Sequence, residues 1–381
     1  MHDPRAADPH DLALRPREAL LGLARAHGFH HARLAQVGPT PHGAAFEAWL
    51  AAGHAADMGW MRHGVDVRLD PRRREATART ALVLAVEHHH RRPPDPGGRT
   101  GLVARYAWGR DYHNLVGKRL KRLASALRTA GVTCWGGVDT APVLERSWAA
   151  EAGLGFTGKS SVQILPARTS WMVLGVLFVD LEAEPDRPLR DHCGTCRRCL
   201  DACPTEAFVG PRSLDAGRCI AYWTIEAAGL PPLALRPGFG RWVFGCDVCQ
   251  EVCPHNAAAP DPDEADLAPR HAWLDLDEVV ASPDDALLAR FTGTPLRRPG
   301  AAGLKRNALL ALGNLGDPGG VDAARLGLSH PSPVVRGAAV WALARLEALP
   351  VAATDPDSLV QAEILAAREG RVPPATPLGP R

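Results

Sequence analysis

Long hydrophobic runs are missing from this chain. None approaches the roughly 18 apolar residues that a membrane helix needs, so no span is expected. The first residues, Met1 to Leu14, are polar and contain His, Asp and Pro. They lack the charged-then-apolar order of a signal peptide, and a cytoplasmic protein is expected. Excess charge of either sign is missing too. A formal net charge of +2 excludes a global polycation, so any nucleic-acid surface has to be local. Cysteine is nearly absent outside one window: of nine, only Cys134 lies beyond the stretch Cys193 to Cys253. In a reducing compartment such crowding points to metal ligation and away from disulfides.

What is present divides into three expected domains. Residues 1–184 alternate helical and strand patterns, which predicts an α/β domain. Apolar spacing gives helices over Arg15 to His27 and Asn114 to Ala130. A third helix is expected over Pro142 to Ala152, with Pro142 in its first turn and Asp139 or Thr140 as cap. The apolar run Thr80 to Val86 reads as a buried strand, His88 to Gly98 as a polar loop, and Ser161 to Leu165 and Met172 to Val179 as further strands. Residues 185–260 hold eight cysteines on short loops and read as a ferredoxin-like module. An acidic linker follows over Pro260 to Pro269. In residues 261–381, Leu304 to Leu315 repeats at Val335 to Leu346, an offset of 31, as stacked HEAT-like helices would. Val351 to Arg381 thins into Pro and Gly and is expected to fray.

The cysteines carry the sharpest chemistry. Cys193, Cys196, Cys199 and Cys203 follow C-x2-C-x2-C-x3-C before Pro204, while Cys246, Cys249 and Cys253 follow C-x2-C-x3-C before Pro254. In two-cluster ferredoxins the last cysteine of each run ligates the other 4Fe–4S cluster. That rule assigns Cys193, Cys196, Cys199 and Cys253 to one cluster, and Cys203, Cys219, Cys246 and Cys249 to the second. Eight thiolates leave no open iron, so both clusters are expected to carry electrons. The competing metal is zinc, which C-x2-C pairs also bind, although zinc does not need the third closely spaced cysteine. Cys134 reads as a small buried residue.

Two other motifs fail on context. Gly153 to Ser160 fits both G-x4-G-K-S and G-x-G-x-x-G. Phosphate binding by either needs a strand before the glycines and a helix after them, and the expected order is the reverse. Gly153 reads better as a helix C-terminal glycine. Asp111-Tyr112-His113 with Gly117 nearly matches the D-x-H-x-x-G of cobalamin proteins, but the glycine is one residue late and no matching Rossmann-type helix follows. A structural role for His113 is the plainer reading.

Several segments together resemble one family. They are Arg105 to His113, Val138 to Arg146, Ala152 to Lys159, Cys193 to Thr205, Cys219 to Glu226, Gly245 to Gln250 and Leu304 to Asn307. In this linked order they are similar to the epoxyqueuosine reductases, over about Trp60 to Leu315. Ser160 stands where asparagine is expected, and His255 where tryptophan is. The resemblance implies base-off cobalamin in the N-terminal domain, fed by the two clusters, and reduction of an epoxide on the wobble nucleoside of tRNA. It carries the proton-donor role onto Asp139, whose independent reading is an N-cap. The carboxyl would need a pKa raised by burial or by a nearby anion. Arg62, Lys159, Ser160 and Gln163 are candidate contacts to the corrin or substrate, alongside Asp139. Tyr222 and Trp223 are candidates to shield a cluster or stack on a base. Arg290, Arg297, Arg298, Lys305, Arg306, Arg325, Arg336 and Arg345 offer a local basic face for tRNA. An external flavodoxin or ferredoxin system is the expected electron donor, and the chain is expected to act as a monomer. Two rival readings stand beside this one: another corrinoid reductase such as a reductive dehalogenase, and a ferredoxin-type electron carrier without a catalytic centre.

Overall fold

The computed structural model describes residues 3–375. Thr80–Glu87 is the centre of a four-stranded sheet ordered His31–Gln36, Thr80–Glu87, Met172–Val179, Cys134–Gly137. All eight residues of that central strand are buried, as its unbroken apolar run requires. The period of two sends alternate side chains to opposite faces. Leu82, Leu84 and Val86 meet Leu20, Leu23, Leu120 and Leu123 from the helices Pro16–Ala26 and Tyr112–Thr129. Ala81, Val83 and Ala85 meet Trp148, Ala149 and Ala152.

The layers therefore match the expected α/β pattern, but the sheet is not the parallel one that such alternation usually forms. Every pairing in this sheet is antiparallel. Alternation of element types fixes which surfaces are covered, whereas direction depends on where each helical excursion re-enters the sheet. A second difference lies at residues 142–144. The helix there runs Glu145–Glu151, not from Pro142, and Leu144 precedes it with no side-chain cap. Gly153 follows that helix at φ +67°, as a C-terminal glycine should. Phe156–Thr157 and Gln163–Ile164 then form a small hairpin, so the glycine segment enters no helix.

Chain order and packing order part company around Thr100–Val103. This strand lies between Trp242–Phe244, its parallel neighbour, and Trp273–Asp275, its antiparallel neighbour. One hydrophobic core thus joins Val103 and Trp108 to Phe244 of the cysteine-rich stretch and to Leu304 and Trp341 of the helical tail. Residues 260–269 are docked and do not form a free linker. Leu267 is buried, and Glu264 pairs with Arg119 at 2.7 Å.

In the tail, Gly300–Leu315 packs against Pro333–Arg345, and both are buried nearly all round. The stretch expected to fray contains the helix Ser358–Arg368, capped by Asp357 and anchored by buried Val360 and Ile364. The last residues of that expectation, 376–381, lie outside the described residues. Among the described residues no helix is long and apolar enough to cross a membrane.

Candidate active-site cleft

The edge strand Cys134–Gly137 delivers the chain into the loop that carries Asp139. Asp139 sits at φ +56°, a left-handed backbone that residues with a side chain seldom adopt. Its N–H donates to Glu145 Oε1 at 2.7 Å. Its Oδ2 accepts from Tyr112 O–H at 3.0 Å and lies 2.7 Å from His113 Nε2. Neither Asp139 nor Thr140 caps the following helix, which corrects the N-cap expectation.

His113 is no bystander. Its Nδ1 lies 2.9 Å from Asp111 Oδ1, and the same oxygen accepts the His113 N–H as the helix cap. The ring is therefore held between two carboxylates. Burial pushes its pKa down, but the bonds to Asp111 and Asp139 outweigh that and lift it to about 9. For Asp139 burial pushes the carboxyl up, yet His113, Tyr112 and the Arg298 charge together hold it below the usual carboxylate range. An acid with a raised pKa was the expectation for Asp139. At neutral pH the proton instead rests on His113, because an imidazolium beside two carboxylates is the lower-energy arrangement.

These groups line a cleft of about 520 Å³. Met58, Trp60 and Met61 form one wall, and Tyr106 and Tyr112 another. Ile225, Glu226 and Phe244 come from the cysteine-rich stretch, and Arg297 and Arg298 from the segment before the long tail helix. Arg298 bridges these parts, with Nε 3.0 Å from Glu226 Oε1 and Nη1 3.8 Å from Asp139 Oδ2.

The cysteines gather into two neighbourhoods. Cys253 is within electrostatic reach of Cys193 and Cys196, and Cys199 of Cys193 and Cys253. Cys246 senses Cys249 and Cys219, and Cys219 senses Cys203. Cys249 bridges the sets, sensing Cys219 first and also Cys199 and Cys203. Gly194, Thr195, Arg197 and Arg198 are exposed around the first set, while Gly245, Asp247 and Val248 are buried around the second. Asp247 binds Arg105 through its N–H at 2.9 Å and its guanidinium at 3.2 Å. The cysteine loop is thereby tied to the start of the segment that ends in His113.

The other expected contacts divide. Lys159 Nζ donates to the carbonyls of Gly194 at 2.6 Å and Cys196 at 3.0 Å, and its N–H points to Cys193 Sγ at 3.5 Å. It therefore braces the first cysteine loop with two of its three side-chain donors. Gln163 is committed to Leu154 O and Thr157. Ser160 is buried, and neighbouring Ser161 has a buried hydroxyl with no partner. Arg62 is exposed and reaches Leu50 O at 3.1 Å. Tyr222 is buried, bonds Asp57 at 3.1 Å and packs with the half-buried Trp223 around Ala216 and Cys219.

The basic face is smaller than expected. Lys305, Arg306 and Arg345 are buried, and Arg336 is held by Asp355. Their helices pack on several sides, so polar residues that a surface helix would expose serve as internal ties. Arg306 donates to the carbonyls of Ala227, Gly229 and Trp223, and Asn307 to those of Thr224 and Val243. Arg290, Arg297, Arg298 and Arg325 remain exposed.

Three family models match the chain: "Epoxyqueuosine reductase QueG, DUF1730" over residues 68–140, "4Fe-4S double cluster binding domain" over 192–256, and "HEAT repeats" over 296–368. The chain is 40% identical to the epoxyqueuosine reductase of Xanthomonas campestris pv. campestris over 354 residues, covering 89% of this chain and 97% of that one. It is 39% identical to that of Pseudomonas aeruginosa, covering 89% and 95%. Among solved structures it is similar to epoxyqueuosine reductase with an epoxyqueuosine-modified tRNA stem loop, with a TM-score of 0.86, 26% identity and coverage of 95% and 99%. It is also similar to the Bacillus subtilis enzyme with its catalytic aspartate loop swung out of the active site, with a TM-score of 0.85, 26% identity and the same coverage. At such identity over nearly the whole length of its relatives, the chain belongs to the epoxyqueuosine reductase family.

Proposed function

We propose that this protein reduces epoxyqueuosine to queuosine at the wobble position of tRNA, as a cytoplasmic enzyme using two 4Fe–4S clusters and cobalamin. The observation that carries this reading is the Asp139–His113–Asp111 chain at a cleft bordered by the cysteine-rich stretch. Converting an epoxide to an alkene takes two electrons and two protons and releases water. The site has one proton poised for the opening oxygen, on His113 beside Asp139; the second, which carries that oxygen away as water, would come from solvent as the relay reloads, and the adjoining module has thiols for the electron path.

The residues fit the clusters. Cys193, Cys196, Cys199 and Cys253 would hold one, and Cys203, Cys219, Cys246 and Cys249 the other. Among the described residues no three His, Cys, Asp or Glu side chains converge tightly enough for a single ion. A cube with iron at separate corners calls for spaced thiolates, whereas tetrahedral zinc draws its ligands together. The cleft also fits a flat macrocycle, since Met58, Met61, Trp60 and Tyr106 give it apolar walls. Arg62, Ser160 and the unpartnered Ser161 hydroxyl would be the candidates for polar contacts to corrin side chains, although none of the three lines the cleft itself. When bound, the clusters supply single electrons and cobalamin supplies low-valent cobalt able to reduce an epoxide carbon.

The chain's own residues handle the proton. An opening epoxide places a developing oxyanion beside Asp139 and expels water, both of which raise a carboxyl pKa. Asp139 then draws the His113 proton and passes it to the oxygen, while Asp111 keeps the imidazole oriented. Tyr112 fixes the same carboxylate oxygen and limits its rotation. Arg297 and Arg298 at the rim are suited to tRNA phosphates, and an external flavodoxin or ferredoxin would deliver electrons at the more exposed cysteine set.

The test is turnover of epoxyqueuosine-containing tRNA by anaerobically purified holoenzyme. Asp139→Asn is expected to lower the rate by about 100-fold or more while iron and corrin content stay at the wild-type level. Full activity in that variant would remove Asp139 from the acid role.

A further inference from the structure

Asp139 is poised on a loop that needs an anchor. Its φ of +56° is unfavourable for an aspartate, and the segment around it is tight: Thr140 N–H returns to Val138 O and Val143 N–H to Ala141 O at 2.8 Å. A non-glycine residue stays in such a conformation only when its surroundings impose it. Tyr112 and His113 hold the side chain. They do not hold the backbone, and their bonds are the ones that must change when the carboxyl takes up and releases a proton.

The backbone has one side-chain partner of its own, Glu145. Its Oε1 accepts the Asp139 N–H at 2.7 Å across six residues of chain. Glu145 is the first residue of the helix Glu145–Glu151, whose Trp148 and Ala149 are buried against the sheet, so the acceptor stands on a rigid element. Arg68, from the helix Val65–Leu69, donates to Val143 O in the same loop and lies within electrostatic reach of both carboxyls. In a similar enzyme, that of Bacillus subtilis, the catalytic aspartate loop has been observed swung out of the active site. A loop of this kind has two positions, and something must favour the inner one.

We propose that Glu145 is the latch of this loop: a positioning residue that holds Asp139 in the cleft by accepting its backbone N–H. This inference rests on the acid role of Asp139 given above. The latch responds to its surroundings. Burial pushes the Glu145 carboxyl up and the Asp139 charge adds to this; hydrogen bonds from the N–H groups of Glu145 itself and of Asp139, and then the Arg146 charge, oppose it, and the result is about 7. Protonating Asp139 removes the repulsion, favours ionised Glu145 and strengthens its grip on the N–H. The loop is thus held most firmly while its acid is loaded.

The experiment compares Glu145→Ala, Glu145→Gln and Asp139→Asn in holoenzyme with full iron and corrin content. Two quantities are read: steady-state kinetics on epoxyqueuosine tRNA, and amide hydrogen exchange of residues 138–144. Loss of a charge-assisted hydrogen bond predicts that Glu145→Ala lowers kcat by about tenfold or more. KM for tRNA should change less than about twofold, because the rim arginines are untouched. Exchange in the loop should accelerate by a similar factor. Glu145→Gln keeps a carbonyl acceptor and is expected to recover most of kcat, but without the rise between pH 6 and 8 that ionisation of Glu145 gives. Wild-type kcat and unchanged loop exchange in Glu145→Ala, with Asp139→Asn inactive, would overturn the latch alone. An active Asp139→Asn would instead overturn the acid assignment on which it stands. If Glu145→Ala does not fold, Glu145→Gln decides: a loss equal to that of Asp139→Asn with unaltered loop exchange sinks the proposal.

Discussion

His113 Nε2 lies 2.7 Å from Asp139 Oδ2, and that bond places the resting proton on the imidazole and leaves the carboxylate charged. The sign of the pH dependence follows. His113 is lifted to about 9 in the folded protein from an unfolded value near 6.5. Its contribution to stability is therefore complete below about pH 6.5 and lost as pH rises through 9. The His113 ring should titrate near 9 by NMR, and below the ordinary histidine value in Asp139→Asn with Asp111→Asn, where burial acts without the two carboxylates. Turnover should fall on the alkaline side with the same midpoint. A wild-type ring that titrates near 6.5 would contradict the relay.

The crossed cysteine sets proposed above make a statement about which variants should behave alike. Cys253→Ser should lose the same cluster as Cys193→Ser, although Cys253 belongs by sequence to the second run. Cys203→Ser should pair with Cys246→Ser. Each variant should retain about four of eight irons, and EPR of the reduced protein should sort the four variants into those two pairs. Pairing by sequence run, with Cys253→Ser resembling Cys246→Ser, would show that each run closes its own cluster.

What the sequence reveals follows a physical divide. Cysteine spacing is legible because a cube imposes its geometry on short loops, and the buried strand Thr80–Glu87 is legible because both its faces are apolar. Strand direction was not, since it is decided by packing between distant segments. His113 was undervalued for the same reason: its partner Asp139 is 26 residues away, and only the fold joins them. Lys305, Arg306 and Arg345 read as a wet basic face because a charge normally seeks water. Buried carbonyls at distant loop ends reverse that preference, and no local pattern announces them.

Arg306 is the strongest instance. Its guanidinium donates to the carbonyl of Trp223 in the helix Ile220–Ile225 and to those of Ala227 and Gly229 just after it, while Asn307 bonds Thr224 and Val243. Arg306→Leu removes the donors and leaves those carbonyls buried and unpaired, at a cost of roughly 2–4 kcal/mol. The expected result is a lowered midpoint in thermal unfolding and faster amide exchange over residues 223–229. Thermal stability equal to wild type would mean that water replaces the arginine without loss.

Arg297 and Arg345 separate surface from interior among the arginines that the sequence groups together. Arg297 is exposed at the cleft rim, whereas Arg345 is buried and donates to Gly313 O at 2.8 Å and Pro373 O at 3.0 Å. A phosphate contact contributes about one unit to the slope of log affinity against log salt. Arg297→Ala should therefore weaken tRNA binding, most at low salt, and flatten that slope by about one while leaving the unfolding midpoint unchanged. Arg345→Ala should do the opposite, lowering the midpoint and leaving the salt slope of the folded fraction intact. If Arg345→Ala flattened the slope while Arg297→Ala did not, the tRNA would have to contact a face other than the one at the cleft rim.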